Sequence, residues 1–222
     1  MKGNDNMLMY CPKCYSIFNF DKSKISDTSI PFCKKCDVKL LEDNRPALSE
    51  SDFFDKVIGM ALAFYYDDNV WKCFGFNKKP KRGRLFNIFV SNERLKKEKF
   101  IDRELVILFF YLSSFMYKAN SELKDQLKCA DRLVSRLLNY EGIASAFGFD
   151  SYKNAEKYFQ QHINNYFNCG ITSVWFTFSN HAKSENVELN ILNATEVFTH
   201  AMVISSSFIS EYKKKYRIVS DI

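Results

Sequence analysis

Apolar positions in this chain recur mostly every three or four residues, which is the spacing of an amphipathic helix. Ser49, Ser121 and Ser151 each stand where a helix of this kind would begin, and serine is a favoured N-cap. The run 102–117 is apolar on all faces after Asp102 and predicts a central, buried helix. A last helix is predicted over residues 194–212. Together these segments predict a mainly α fold.

Two stretches depart from helical spacing and could form short hairpins. Residues 71–90 hold two aromatic or β-branched stretches on either side of a basic run, which fits a hairpin with a basic tip or a loop that crosses the helical body. Residues 173–191 hold two stretches in which apolar residues occupy alternate positions, the first being Val174, Phe176 and Phe178. Alternation is the pattern of a half-buried strand, so a second hairpin is expected there.

Composition agrees with a helical core rich in aromatic side chains. The chain has 222 residues, of which 22 are Phe and 12 are Tyr, whereas Gly and Pro number only 7 and 4. A β-sandwich needs more turn residues, so long helices are favoured. The most apolar run, 105–117, is shorter than the roughly 18 residues of a bilayer span. Without a recognisable export signal, we expect no membrane association and a cytoplasmic protein.

The most specific motif is a pair of cysteine pairs, Cys11-Pro12-Lys13-Cys14 and Cys33-Lys34-Lys35-Cys36, separated by 18 residues. Two residues between thiolates let a tight turn direct both sulfurs at one ion, and two such turns complete a tetrahedral shell. This spacing predicts a structural Zn²⁺ held by Cys11, Cys14, Cys33 and Cys36. Rubredoxin-type iron on the same ligands is the alternative metal.

The segment 1–42 resembles a zinc ribbon, the rubredoxin-like knuckle fold, through these two cysteine motifs. The resemblance implies a small β module, and ribbons of this kind often serve in transcription and nucleic-acid machinery. Ribbon knuckles often carry Gly after the second cysteine, where this chain has Tyr15 and Asp37. We therefore expect a zinc ribbon at 1–42, a linker at 43–50 and a helical domain at 51–222.

Positive charge is concentrated in residues 71–99, the basic segment. It holds ten Lys or Arg against two Glu, so its net charge of +8 exceeds the +6 of the whole chain. Phosphate binding is expected to centre on its most basic part, with Trp71 stacking on bases. A solvated loop or an acidic protein partner would explain the same charge. The residues predicted to bind nucleic acid here are Trp71, Lys78, Lys79, Lys81, Arg82 and Arg84.

A second basic feature is a ridge along the helix predicted after Ser121. Its members stand four residues apart and so lie on one helix face. Asp125 and Asp131 lie beside the ridge, which also makes it typical of an ordinary solvated face. The ridge residues, predicted as a weaker nucleic-acid contact, are Lys124, Lys128, Arg132 and Arg136.

No catalytic signature accompanies these features. The three histidines, His162, His181 and His200, show no metal-site spacing, and the chain lacks nucleotide-binding glycine loops. We therefore predict a non-catalytic, zinc-binding regulatory or binding protein whose partner is nucleic acid or a nucleic-acid-handling complex. The alternatives are a protein-interaction adaptor that uses the helical body, and an enzyme of unknown chemistry in that body.

Overall fold

The computed structural model describes residues 6–25, 30–77, 79, 91–189 and 191–220. These residues belong to two units, which we describe separately. The N-terminal unit draws on Met1–Phe53 and Ser210–Ile222, and the helical unit on Phe54–Ile209. Helices predominate, and most of the short strands lie near the N-terminus. The predicted mainly α fold with a small N-terminal β part is confirmed.

Short strands build the first part of the N-terminal unit. In its three-stranded sheet β1 lies between β2 and β5 and is antiparallel to both. Because side chains alternate between the two faces of a strand, Met9 and its partner Phe18 pack inward with Leu40. The strands are β1 (Asn6–Tyr10), β2 (Ile17–Asp21), β3 (Phe32–Cys33), β4 (Val38–Lys39), β5 (Leu41–Glu42), β6 (Ala47–Ser49) and β7 (Arg217–Val219).

The two chain segments of this unit meet at β6 and β7, which pair in parallel. Nearby, Arg45 forms a two-pronged ion pair with Asp43 at 2.7 and 2.8 Å and also donates to the backbone carbonyl of Lys213. The Arg45 guanidinium lies 4.1 Å from the centre of the Tyr10 ring. Residues 43–50, predicted as a linker, thus include a strand; the domain boundaries proposed from the sequence stay a prediction.

Helix α3 is the centre of the helical unit. Side chains from Leu105 to Leu112 are all buried, as the apolar run predicts, and α3 packs against α4 and α6. Ser151 caps α6, as predicted. Helix α3 begins earlier than the predicted run 102–117, because Ser91 is its N-cap. The helices of the described residues are α1 (Glu50–Tyr66), α2 (Asp68–Cys73), α3 (Asn92–Tyr117), α4 (Leu123–Leu138), α5 (Ile143–Ala146), α6 (Tyr152–Cys169), α7 (Val174–Ser184) and α8 (Ile191–Lys215).

The hairpin predicted over residues 173–191 is wrong, because its first stretch is helix α7. The buried side chains of α7 include Val174, Phe178 and Ala182, which recur every four residues. Phe176, which alternation would have placed beside them, is 50% exposed. The period of this segment is therefore helical.

The hairpin predicted over residues 71–90 is wrong in its first strand, since residues 71–73 end helix α2. Asp67 caps that helix by accepting a hydrogen bond from the backbone N–H of Asn69 at 2.8 Å. The second predicted strand, Leu85–Val90, lies outside the described residues. Asp67 therefore separates the end of α1 at Tyr66 from the start of α2.

Candidate metal centre and a buried glutamate–histidine cluster

The two cysteine pairs lie in equivalent tight turns of the N-terminal unit. Cys11 and Cys14 span the turn between β1 and β2, and Cys33 and Cys36 span the turn between β3 and β4. Together these four residues form the cysteine cluster. Pairing within each hairpin brings the ends of its strands together, so each turn carries its two sulfurs at one end of a hairpin.

The backbone of the two turns follows the same hydrogen-bond pattern. The N–H of Tyr15 donates to the carbonyl of Cys11 at 2.8 Å, and the N–H of Asp37 donates to the carbonyl of Cys33 at 2.8 Å. Both donors adopt left-handed backbone conformations, with φ of 60° at Tyr15 and 51° at Asp37. These are the two positions where ribbon knuckles often carry Gly, so the sharp knuckle turn forms here without it.

The sulfurs of the cluster have the spacing of metal ligands. All four Sγ atoms lie within 4.8 Å of one another. Cys14 Sγ and Cys33 Sγ are 3.7 Å apart, close to the roughly 3.8 Å edge of a tetrahedron with Zn–S bonds of about 2.3 Å. Cys11 and Cys33 are fully buried, and all four cysteines are free thiols. The donor set and spacing therefore suit one metal ion.

The thiols of the cluster differ in how readily they ionise. Burial opposes ionisation of Cys14, but hydrogen bonds to the Ser16 side chain and backbone lower its pKa to about 6. Burial and the neighbouring thiols raise the pKa of Cys36 to about 12, and burial also raises the pKa of Cys11. Four adjacent thiolates repel one another unless a cation lies among them. A divalent ion would supply that charge.

A second group of titratable side chains lies inside the helical unit. Glu104 of α3, His162 of α6 and His181 of α7 bring their ligand atoms within 4.8 Å of one another. This is the Glu104 cluster. His162 Nδ1 is hydrogen-bonded to Glu104 Oε1, and His181 Nδ1 lies 3.0 Å from Glu104 Oε2. The Tyr166 hydroxyl donates to Oε2 at 2.7 Å.

These contacts keep a fully buried carboxylate ionised. The Glu104 side chain is 0% exposed, and burial alone would raise its pKa. Hydrogen bonds from His162 and His181 outweigh burial and lower the pKa to about 2. Burial and the adjacent Glu104 charge raise the pKa of Tyr166 far above its usual range, so its hydroxyl remains a donor.

A polar layer surrounds the Glu104 cluster. The rings of Tyr158 and His162 stack with their centres 4.0 Å apart, and the Tyr158 hydroxyl donates to Glu185. Arg103 pairs with the other oxygen of Glu185 at 2.6 Å. The side-chain amide of Asn165 lies 3.0 Å from His181 Nε2. Both histidines of the Glu104 cluster are thus contacted by a further polar side chain, His162 by Tyr158 and His181 by Asn165.

Sequence reasoning missed the Glu104 cluster. Glu104 lies 58 residues before His162 and 77 before His181, so no local spacing joins them. The one signal in the sequence is the pair His162 and Tyr166, four residues apart and therefore on one face of α6. The spacing of the three histidines gave no indication of a site, and two of them nevertheless meet one buried carboxylate.

The basic segment is described only in part. Lys78, Lys81, Arg82 and Arg84 lie outside the described residues. The Lys79 ammonium lies 2.8 Å from the centre of the Tyr65 ring and 3.4 Å from that of Tyr66.

Trp71 is a core residue rather than a stacking surface. Its side chain is 1% exposed, and its indole N–H donates to the Tyr65 carbonyl at 2.8 Å. The sequence-based assignment of Trp71 to base stacking is therefore corrected: a ring enclosed by the protein cannot stack on a base without local unfolding.

The predicted ridge on α4 is only partly open to a partner. Arg136 forms a two-pronged ion pair with Asp55 at 2.5 and 2.6 Å, and Lys124 pairs with Glu122 at 2.6 Å. Lys128 and Arg132 are exposed. The structure therefore places all four residues on α4, and Arg136 is already paired with Asp55 of α1.

Comparison with known proteins adds no relative. No protein-family model matches the chain, and no curated protein or solved structure matches it. In the part of the chain that the structure describes, no helix is both long and apolar enough to cross a membrane.

Proposed function

We propose that the protein is a non-catalytic zinc-binding protein that contacts nucleic acid, or a complex that handles it, through the basic segment. In this proposal the N-terminal unit is a zinc ribbon whose metal has a structural role. The helical unit carries the basic segment. The observation that carries the nucleic-acid part is the concentration of charge, since residues 71–99 have a net charge of +8.

The structural role of zinc is supported by the closed donor set. Four cysteine ligands fill a tetrahedral shell, which leaves no position for a substrate or water. The core packed around the cluster is small, with Met9 and Leu40 as its buried residues besides two of the cysteines. Binding of an ion would therefore contribute much of the folding free energy of this part. A reducing compartment such as the cytosol keeps the thiols available for the ion.

The charge of the basic segment continues onto the described start of α3. Arg94, Lys96 and Lys99 are exposed there, although Arg94 also contacts the buried Glu98 at 3.0 Å. Cations near a helix N-terminus oppose the helix dipole. A polyanionic partner would offset that repulsion, and phosphate contacts of this kind are independent of base sequence.

The experiment measures binding of the full chain to a fluorescent single-stranded or duplex oligonucleotide over a range of salt concentrations. A variant replaces Lys78, Lys81, Arg82 and Arg84 by Gln and leaves Lys79, whose ammonium contacts two tyrosine rings, in place. We expect binding that weakens steeply with salt. The variant should lose most of the affinity and flatten the log–log salt slope by about 3 to 4.

A matched control replaces four exposed lysines elsewhere, Lys153, Lys157, Lys183 and Lys214, by Gln. This control loses the same amount of positive charge as the first variant. If the basic segment is the contact, the control should retain nearly all of the affinity. Equal losses in the two variants, or no binding by the parent protein at low salt, would contradict the proposal.

A protein-interaction adaptor is the second candidate, and one feature of α7 favours it. Trp175 and Phe176 are 38% and 50% exposed, with their ring centres 5.8 Å apart. Exposed neighbouring aromatic residues are frequent in protein interfaces. An adaptor would capture a partner after nuclease treatment and lose it when Trp175 and Phe176 are replaced by Ala, without dependence on the basic segment.

A further inference from the structure

The Glu104 cluster brings two imidazoles and one carboxylate together in the interior of the helical unit, with their ligand atoms within 4.8 Å of one another. Among the described residues, the hydrogen-bond partners of the Glu104 carboxylate are His162, His181 and Tyr166. Either a proton shared among these groups or a bound cation can hold two imidazoles against one buried carboxylate.

The donor set and its spacing favour a metal ion. Two imidazoles and one carboxylate suit divalent transition metals, above all Zn²⁺. Ligands with bonds of about 2.0–2.2 Å lie roughly 2.9–3.5 Å apart in such a shell. Glu104 Oε2 and His181 Nδ1, 3.0 Å apart, already have this separation, whereas His162 Nδ1 and Glu104 Oε1 are closer and would move apart to admit the ion. The two imidazole rings approach each other with centres 3.9 Å apart and both turn Nδ1 to the same carboxylate.

The surroundings of the cluster also match those of a metal site. Ligating side chains are usually oriented by partners on their outer atoms. Here the Asn165 amide lies 3.0 Å from His181 Nε2, and the Tyr166 hydroxyl donates to Glu104 Oε2 at 2.7 Å. Asn165 also lines an open groove of about 640 Å³ along α6. It therefore borders both the groove and the cluster.

We propose that Glu104, His162 and His181 bind a second divalent transition-metal ion, separate from the ion of the cysteine cluster. The set differs from the cysteines in chemistry, since its donors are nitrogen and oxygen rather than sulfur. Three protein ligands leave a coordination position for water. The chain would then hold two metal ions of different ligation.

Metal content of the full chain, purified under reducing conditions and saturated with Zn²⁺ before desalting, tests this directly. We expect two ions per chain in the parent protein. Glu104→Gln keeps the shape of the side chain but removes its charge, and should hold one ion. Cys33→Ser should lose the other. His200→Gln is the matched control, because His200 is a half-exposed histidine outside the cluster, and it should hold two ions.

Cobalt titration of the unmodified protein gives a readout that does not depend on the folding of a variant. Thiolate-to-cobalt charge-transfer bands report the cysteine cluster, whereas nitrogen and oxygen ligands give only weak visible bands. We expect the visible bands to grow further after the charge-transfer bands are complete. One ion per chain with all bands saturating together, or two ions retained in a folded Glu104→Gln variant, would overturn the proposal in favour of a protonated imidazole.

Discussion

Tyr15 and Asp37 adopt the same left-handed backbone conformation one residue after the second cysteine of their turns, with φ of 60° and 51°. Each donates its N–H to the carbonyl of the first cysteine of its turn at 2.8 Å. Two Cys-x-Lys-Cys turns that continue with different residues therefore reach one geometry, as expected if both must direct a pair of sulfurs at a common point. Both turns therefore hold a non-glycine residue at positive φ, a backbone conformation that costs free energy.

Substitution of Asp37 separates this backbone requirement from side-chain contacts. Asp37→Val should destabilise the N-terminal unit by about 1–2 kcal/mol, because a β-branched side chain fits poorly at positive φ. Asp37→Gly should be neutral or slightly stabilising. Thermal unfolding and competition with a chelator measure the stability of the N-terminal unit in the two variants. Lys35→Val, in the same turn at an exposed position, is the control; an equal loss in it would show that the effect is not conformational.

Burial of Trp71 predicts a stability effect without a binding effect. Trp71→Phe removes the indole N–H that satisfies the Tyr65 carbonyl, so urea unfolding should show a loss of about 1–3 kcal/mol. Oligonucleotide affinity of the folded variant should stay at the parent level. Trp175→Phe, at an exposed site, should change stability by less than about 0.5 kcal/mol. A binding defect in folded Trp71→Phe with unchanged stability would contradict the corrected role of Trp71.

The ion pair between Asp55 and Arg136 predicts a pH-dependent contribution to stability. Hydrogen bonding and the charge of Arg136 hold the pKa of Asp55 below its ordinary value. A lowered pKa in the folded state contributes stability above the unfolded pKa, near 3.9, and loses it as the pH falls through the folded value. Because both side chains are more than a third exposed, the contribution is at most about 1 kcal/mol.

Asp55→Asn should therefore unfold at lower urea concentration than the parent at pH 7, and the gap should narrow below about pH 4. Asp150→Asn, at an exposed position, is the control and should leave the urea midpoint nearly unchanged at pH 7. A gap for Asp55→Asn that stays constant down to pH 2.5 would contradict the assignment of its effect to the ion pair.

Local patterns of apolar residues predicted much of the fold. They failed where the same apolar positions fit both a strand and a helix. Val174 and Phe178 are four residues apart, which places them on one face of either a strand or a helix. Only the next positions decide between the two. Phe176 is exposed and His181 is buried, which fits the helix but not the strand. The alternation of Val174, Phe176 and Phe178, taken alone, predicts a strand.

Local sequence spacing predicted one of the two candidate sites and missed the other. The cysteine cluster could be predicted because each turn carries its two ligands within four residues, so local spacing specifies the geometry. The Glu104 cluster joins three helices, and its members are related only through packing of α3, α6 and α7. No regular spacing marks such a site in a single sequence. The burial of Trp71 was missed for a related reason, since an aromatic residue beside a basic run fits both a core and a binding surface.

The most direct test of the account is X-ray absorption at the zinc edge, measured on the full chain carrying Glu104→Gln so that the proposed second site does not contribute. The account predicts one zinc ion surrounded by sulfur at about 2.3 Å, and loss of that signal in the double variant that also carries Cys33→Ser. A zinc ion ligated only by nitrogen or oxygen, or a folded protein that binds no zinc, would contradict it.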